Sequence, residues 1–400
     1  MIISAMLIPI LLSVNASDKT DIPTGVATMK WVTSAKRKLE PWKLELLQRS
    51  YDTLQGNIVK HEMWHNKRGI VPSIGRYDGV WNWDSAFHAM TVSRWDPELA
   101  REQAEILFGE QEPNGALPDV IYEDGRIVKE SGKPPVYPWA IAIVEKRAPN
   151  KDFLKAIYPK LVKFEAFWRR ERGGEEKGLY FYGGPQPHWE SGWDNSVRWD
   201  DGVSNLYSID LNCYMVMLYD AMVGFAKKLD LKQDLAQWQT RRKELAKRIE
   251  TDLWDPKTGA YLDYNYEKKE FLHVLTPASF MPLYAGIASK EHAAAMAKLA
   301  ADPKKFYPGV PTVSYDDPKF DANAYWRGPC WLNTAAFTIF GLEKYGYKDT
   351  ASQMKETILK GCYDGGYPFE YYNPVNGKPC EGAAKKFGWS AAFIIELILE

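Results

Sequence analysis

Along most of the chain, apolar residues recur at steps of three, four or seven, with polar residues between them. Leu235, Trp238, Leu245, Ile249 and Leu253 fall on one face of a helix at this spacing. The same period predicts helices over 41–59, 151–172, 206–229, 233–254, 289–301, 327–345 and 349–361. Shorter ones are predicted over 84–93, 97–110, 137–146, 275–287 and 387–399, about twelve in all. Ser289 and Asp349 precede two of these runs as N-cap candidates. Strand-like alternation is sparse, as at Ala260-Tyr261-Leu262-Asp263-Tyr264. Between the helices lie long segments rich in Gly, Pro, Trp and Asp, at 68–83, 112–136, 174–205, 256–270, 303–326 and 363–386. Long structureless loops in a compact domain are usually functional. Here they alternate with helix pairs along the chain. The fold class expected is therefore all-α, a closed (α/α)6 toroid with its functional loops gathered at one mouth.

No Ser/Gly linker interrupts the 400 residues, so one domain is expected over 41–400, preceded by a polar N-terminal tail, 17–40. Residues 1–16 are almost continuously apolar and end on Val14-Asn15-Ala16, which reads as a cleaved signal peptide and implies a secreted or periplasmic protein. That run is too short for a stable bilayer anchor, and no later stretch reads as a membrane span. Net charge is −1 with both signs intermixed, which leaves no argument for nucleic acid or an anionic membrane as the partner. Cys213, Cys330, Cys362 and Cys380 are scattered, with no paired motif. The 16 Trp and 23 Tyr change the picture, because many stand beside Gly, Asp, Asn or Pro in the loops. Flat rings with a polar tip, set in an open cleft, suit the faces of sugars.

His61-Glu62-Met63-Trp64-His65 matches H-E-x-x-H, a zinc-protease pattern when it lies on a helix. The following Asn66-Lys67-Arg68-Gly69-Ile70 supplies no third ligand, and loop 68–83 carries only Asp78. These histidines are expected to be surface residues at the end of the first helix. No metal and no cofactor are expected.

Cutting a glycosidic bond requires one carboxylic acid to protonate the leaving oxygen and a second carboxylate to act on the opposite face. Two segments place an acid among aromatic rings: His188-Trp189-Glu190-Ser191-Gly192-Trp193-Asp194-Asn195-Ser196-Val197-Arg198-Trp199, and Tyr367-Pro368-Phe369-Glu370-Tyr371-Tyr372-Asn373. A carboxyl group packed against such rings is desolvated, which raises its pKa as a general acid requires. Helix capping or loop bonding is the alternative role for any one of these acids.

At these residues the chain resembles glycoside hydrolase family 63, whose relatives include mannosylglycerate and glucosylglycerate hydrolases, and the wider six-hairpin group that contains trehalases. The resembling stretches are Trp81-Asn82-Trp83-Asp84-Ser85-Ala86-Phe87-His88, Gln111-Glu112-Pro113-Asn114-Gly115-Ala116-Leu117-Pro118-Asp119, Glu190-Ser191-Gly192-Trp193-Asp194-Asn195-Ser196 and Asp210-Leu211-Asn212. Tyr325-Trp326-Arg327-Gly328-Pro329-Cys330-Trp331, Phe369-Glu370-Tyr371-Tyr372 and Phe387-Gly388-Trp389-Ser390 follow in the same order. The resemblance implies Asp194 as general acid and Glu370 as general base of an inverting, exo-acting α-glycosidase on a small carbohydrate, an α-glucoside or α-mannoside. It implies Trp83 stacking on the sugar and Asp84 bonding its hydroxyls. Trp81, Gln111, Asn114, Gly115, Trp193, Arg327 and Trp389 are expected in the same pocket, and Asp210 and Asn212 as scaffold. The chain lacks room for the extra β-rich domain of processing glucosidases. Tyr325-Trp326-Arg327-Gly328 replaces the trehalase Q-W-D segment. The rivals are a trehalase-like hydrolase, a sugar epimerase using His88 and His188, and a catalytically silent sugar-binding protein.

Overall fold

The computed structural model describes residues 24–34 and 38–400. Twelve helices build the ring: α1 (Pro41–Gly56), α2 (Asn82–Val92), α3 (Pro97–Gly109), α4 (Tyr137–Arg147), α5 (Lys151–Glu171), α6 (Ile209–Leu229), α7 (Lys232–Asp252), α8 (Met281–Tyr284), α9 (Lys290–Ala301), α10 (Leu332–Lys344), α11 (Lys348–Asp364) and α12 (Gly388–Leu399). The even-numbered helices form the inner ring. Each packs on the next, and α12 closes the circle against α2. Burial explains the sorting. Every residue of α2 is buried, as are Gly388 to Ile398 of α12, whereas α7 buries only Trp238, Leu245 and Ile249. A helix apolar on all sides goes to the centre, and an amphipathic one goes outside. By length and composition α6 is long and apolar enough to cross a membrane, contrary to the sequence reading, but most of it is buried inside the ring.

Side-chain caps set three of the helix starts. Asp96 caps α3 by accepting from Leu99 N–H, with Pro97 next in line. Asn150 caps α5, and Ser289 caps α9 through His292 N–H at 3.1 Å. Asp349 is not a cap: α11 begins one residue earlier, which places this carboxylate in the first turn, where the helix dipole favours it. The helix expected from 327 begins at Leu332, because Cys330 pairs with Tyr372 through N–H···O bonds of 2.7 and 3.0 Å. The run 275–287 divides into a 3-10 turn, Pro277–Phe280, and the short α8. Helix α1 stops at Gly56, where the chain enters a two-stranded ribbon, Ile58–Lys60 with Arg68–Ile70. Among the described residues no sheet exceeds three strands. The alternating run 260–264 supplies Ala260–Tyr261 and Tyr264–Asn265, in two different small sheets.

Part of the expected polar tail is packed structure. Val26 and Val32 are buried, Val26 N–H donates to Gln48 Oε1 on α1, and Trp31 lies 5.1 Å from Trp95. The apolar stretch 1–16 lies outside the described residues. All four cysteines are buried and free.

Two features position the site. The N-terminal ends of α2, α10 and α12 open onto one cleft, which carries Trp81, Trp83 and Asp84 from the first, Trp331 from the second, and Phe387 and Trp389 from the third. Behind it, Arg198 is fully buried between Asp210 on α6 (2.7 Å) and Asp263 (2.8 Å). Its guanidinium lies over the rings of Trp199 and Trp193, at 4.3 and 5.2 Å. The loop bearing Asp194 is thereby tied to the inner ring. Asp210 and Asn212 hold scaffold, the latter bonding both the N–H and the C=O of Tyr180 at 2.9 Å.

Candidate active site

The cleft encloses about 120 Å³ and brings together three carboxylates, Asp84, Asp194 and Glu370. Aromatic rings make most of its wall, and Lys133 is the one cation lining it among the described residues.

Glu370 sits on the segment that Cys330 anchors through Tyr372. Its own N–H donates to Ala384 O at 2.9 Å. The side chain, 2 % exposed, accepts from Tyr77 OH at 2.9 Å and from Ala384 N–H at 3.0 Å. Burial pushes its pKa up. The Ala384 and Tyr77 donors and the Arg76 charge pull it back, while the negative charge of Asp194 adds to the rise.

Asp194 follows a single helical turn, Pro187–Ser191, and Gly192 at φ 75°. A Cβ on Gly192 would stand 2.5 Å from the Trp83 ring, so this position needs glycine for both its backbone angle and its close approach. Asp194 is raised by burial, against the Lys133 charge and a hydrogen bond from Tyr325. Asp84, at the start of α2, is buried and raised well above the usual range, again with Lys133 opposing the shift. Each carboxyl group thus meets a tyrosine hydroxyl and a backbone N–H, Tyr77 and Ala384 at Glu370 and Tyr325 and its own N–H at Asp194, and burial raises both.

A column of rings joins the two loops. Trp193, next to Asp194, stacks on Trp326 at 5.2 Å. Trp326 lies flat on Trp331 at 3.9 Å and 7°, and Trp331 stacks on Tyr371, next to Glu370, at 4.8 Å. Trp83 meets this column at Trp326 and crosses Trp389 edge to face at 5.1 Å. The indole N–H groups of Trp81 and Trp389 are buried without a protein acceptor, two donors in a wall that a polar ligand would satisfy.

Of the residues expected from sequence, Trp81, Trp83, Asp84, Asp194, Glu370 and Trp389 line this cleft. Gln111, Asn114, Gly115, Trp193 and Arg327 do not. Gln111 is spent on Gly115 O and Lys160 O, both at 3.0 Å, pinning its loop to α5. Asn114 accepts from Ala116 N–H and lines a separate hollow with Glu112 and Lys129. Gly115, at φ 102°, packs where a Cβ would lie 2.0 Å from Lys163 O. Arg327 forms a fork with Asp200 at 2.7 and 2.9 Å. Trp193 is a buried member of the ring column. Tyr77, Lys133, Tyr325, Trp326, Trp331 and Phe387 line the cleft but were not among the expected site residues. The last four stood inside the resembling stretches, whereas Tyr77 and Lys133 had no such signal.

The H-E-x-x-H run does not lie on an α-helix. Glu62–Trp64 is one 3-10 turn, His61 Nδ1 accepts from Met63 N–H, and His65 adopts a left-handed conformation with Nε2 3.3 Å from Glu110. The two rings therefore do not share a helix face. His88 is buried beneath Gly388, and His188 lies on the turn before Asp194. Neither lines the cleft.

The family model for the mannosylglycerate hydrolase MGH1-like glycoside hydrolase domain matches residues 77–390. A mannosylglycerate hydrolase of Rubrobacter radiotolerans is 25% identical over 410 residues, covering 81% of this chain and 91% of the relative. A glucosylglycerate hydrolase of Mycolicibacterium hassiacum is 23% identical, over 80% of this chain and 92% of that protein. Among solved structures, a family 63 mannosylglycerate hydrolase of Thermus thermophilus in complex with Tris and D-glycerate superposes with a TM-score of 0.77. It is 24% identical and covers 88% of this chain and 99% of its own. With its ring of paired helices and its carboxylate cleft, the chain belongs to the MGH1-like mannosylglycerate hydrolase family and is a glycoside hydrolase of family 63.

Proposed function

We propose that the protein releases one terminal hexose from a small α-glycoside, an α-mannoside or α-glucoside of a short hydroxy acid such as glycerate, with inversion. The observation that carries this reading is the pairing of two desolvated carboxyl groups in one aromatic cleft. Asp194, its pKa raised by burial, gives its proton to the leaving oxygen. Glu370, its anion favoured by Tyr77 and Ala384, draws a proton from water as that water attacks the anomeric carbon from the other face. Inversion needs a water between base and sugar, so the reading requires the two carboxyl groups to stand about 6.5–9.5 Å apart. Trp83 is the floor on which the ring lies, and Asp84 accepts from its hydroxyls.

Support for a glycerate leaving group comes from related proteins that act on mannosylglycerate and glucosylglycerate. An epimerase reading has no histidine in the cleft to move its proton, among the described residues. A silent binding protein would have no use for the donors fixed on Glu370. The test is proton NMR of the first turnovers on α-mannosylglycerate and α-glucosylglycerate. A β-anomer should appear first, and Glu370→Gln should bind hexose without turnover. An initial α-product, or a sugar ester trapped on either carboxylate, overturns the mechanism. Turnover of neither compound overturns the substrate assignment.

A further inference from the structure

Lys133 stands in a Gly132-Lys133-Pro134-Pro135 segment between the mouth loops and α4, with its side chain 8% exposed. Its ammonium lies 3.2 Å from Asp119 Oδ2 and 2.7 Å from the backbone oxygen of Trp189. Asp119 Oδ1 is equally near, at 3.1 Å, but out of line for an N–H. An ammonium has three hydrogens, and a buried one left unmatched is costly. Two are committed to protein. Among the described residues its ammonium makes no third hydrogen bond to protein, and the same side chain lines the cleft with Asp84 and Asp194 on the shared wall, as well as bordering the hollow of Glu112 and Asn114. Asp84 in turn has no side-chain donor bonded to it among the described residues, and the Lys133 charge is felt at both Asp84 and Asp194. The wall therefore presents a fixed cationic donor near a carboxylate acceptor. A pair of neighbouring ring hydroxyls, one accepting and one donating, complements that arrangement.

We propose that Lys133 is a sugar-binding and specificity-determining residue, whose third N–H donates to a hydroxyl of the terminal hexose while Asp84 accepts from the adjacent hydroxyl. This rests on the glycosidase reading above and names who recognises the sugar. Asp119 and Trp189 hold the ammonium in place, so that little ordering remains to be done when the sugar arrives.

The experiment measures binding of mannose, glucose and their monodeoxy forms by calorimetry, and turnover of the two glycerate glycosides, for wild type, Lys133→Met, Lys133→Arg and Lys133→Met/Asp119→Asn. A hydrogen bond to a charged donor corresponds to a loss on the order of ten- to a hundredfold in affinity. Lys133→Met should show that loss, mostly in KM. Lys133→Arg should recover part of it. One monodeoxy hexose, lacking the bonded hydroxyl, should bind wild type and Lys133→Met alike. Lys133→Met alone strands Asp119 in the interior. The double variant removes both charges and should regain thermal stability while affinity stays low. Wild-type affinity in the double variant, equal losses for every monodeoxy sugar, or no hexose binding by wild type would each overturn the proposal. A wild type that binds hexose with these effects but cleaves neither glycoside ends the substrate reading and leaves Lys133 standing.

Discussion

Replacing Tyr77 by Phe isolates one hydrogen bond to Glu370, the proposed base. The phenol donates to Glu370 Oε1 at 2.9 Å, and its ring packs edge to face on Trp81 and Phe387 at 5.7 and 5.9 Å, contacts that phenylalanine keeps. The donor stabilises the carboxylate only, so its removal must raise the pKa of Glu370 above the value it holds in the intact site. The remaining neighbours are unchanged: Ala384 N–H and Arg76 still lower it, and burial and Asp194 still raise it. A bond to a charged acceptor contributes about 1.5–3 kcal/mol, and a tenfold change in acidity corresponds to about 1.4 kcal/mol, so the pKa should rise by roughly one to two. Glu370 must be ionised to accept a proton. The acidic limb of kcat/KM should therefore move to higher pH by that amount, and on the acidic side activity should fall about tenfold for each pH unit the limb moves. The basic limb, assigned to Asp194, should hold its position. The assay is kcat/KM against pH for wild type and Tyr77→Phe on one glycoside. An acidic limb that stays put, or moves to lower pH, would refute the assignment of Glu370 as the base that Tyr77 supports.

Gly192→Ala should raise KM strongly with the fold intact, because the new methyl group meets the Trp83 ring at 2.5 Å and the backbone is held at φ 75°; hexose titration followed by tryptophan fluorescence checks this, and unchanged affinity would mean that Trp83 is not the sugar floor. Asp263→Ala leaves Arg198 fully buried with Asp210 as its remaining carboxylate, so denaturant unfolding should show a loss of roughly 3–5 kcal/mol; a loss under about 1 kcal/mol would show that the triad does not hold the acid loop to the inner ring.

Helices were legible because their signal is local. The apolar repeat of α7 and the all-round apolar composition of α12 each declare a place in the ring without reference to any other segment. Boundaries failed where a distant segment competed: residues 327–331 carry helix-like spacing, yet Cys330 is drawn into an isolated antiparallel bridge with Tyr372, a partner that the local pattern does not show. The carboxylates were legible because each stands in its own aromatic segment. Lys133 was not, since a lysine between glycine and proline carries no periodicity, and its partners Asp119 and Trp189 arrive from two other loops. Gln111 and Gly115 sit in a resembling motif whose bonds turn inward, so a shared stretch of sequence there marks loop architecture rather than contact with the cleft.

The abundance of tryptophan has a second physical meaning beyond its match to sugar faces. Trp83 and Trp389 line the cleft as flat apolar wall, but Trp193 is wholly enclosed, and its ring is the first of a stack that passes through Trp326 and Trp331 to Tyr371. The ends of that stack are the immediate chain neighbours of Asp194 and Glu370. Rings in van der Waals contact resist compression, and stacked aromatic pairs add about 0.5–1.5 kcal/mol each beyond burial. The separation of Asp194 and Glu370 is therefore braced by ring contacts as well as by the loops that carry them. At the acid end, the Arg198 guanidinium over Trp193 and Trp199 stiffens the column further. Stereochemistry in a two-carboxylate glycosidase depends on whether a water fits between base and sugar. In this fold that spacing is braced by four aromatic side chains, of which Trp326 and Trp331 line the cleft while Trp193 and Tyr371 stand behind it.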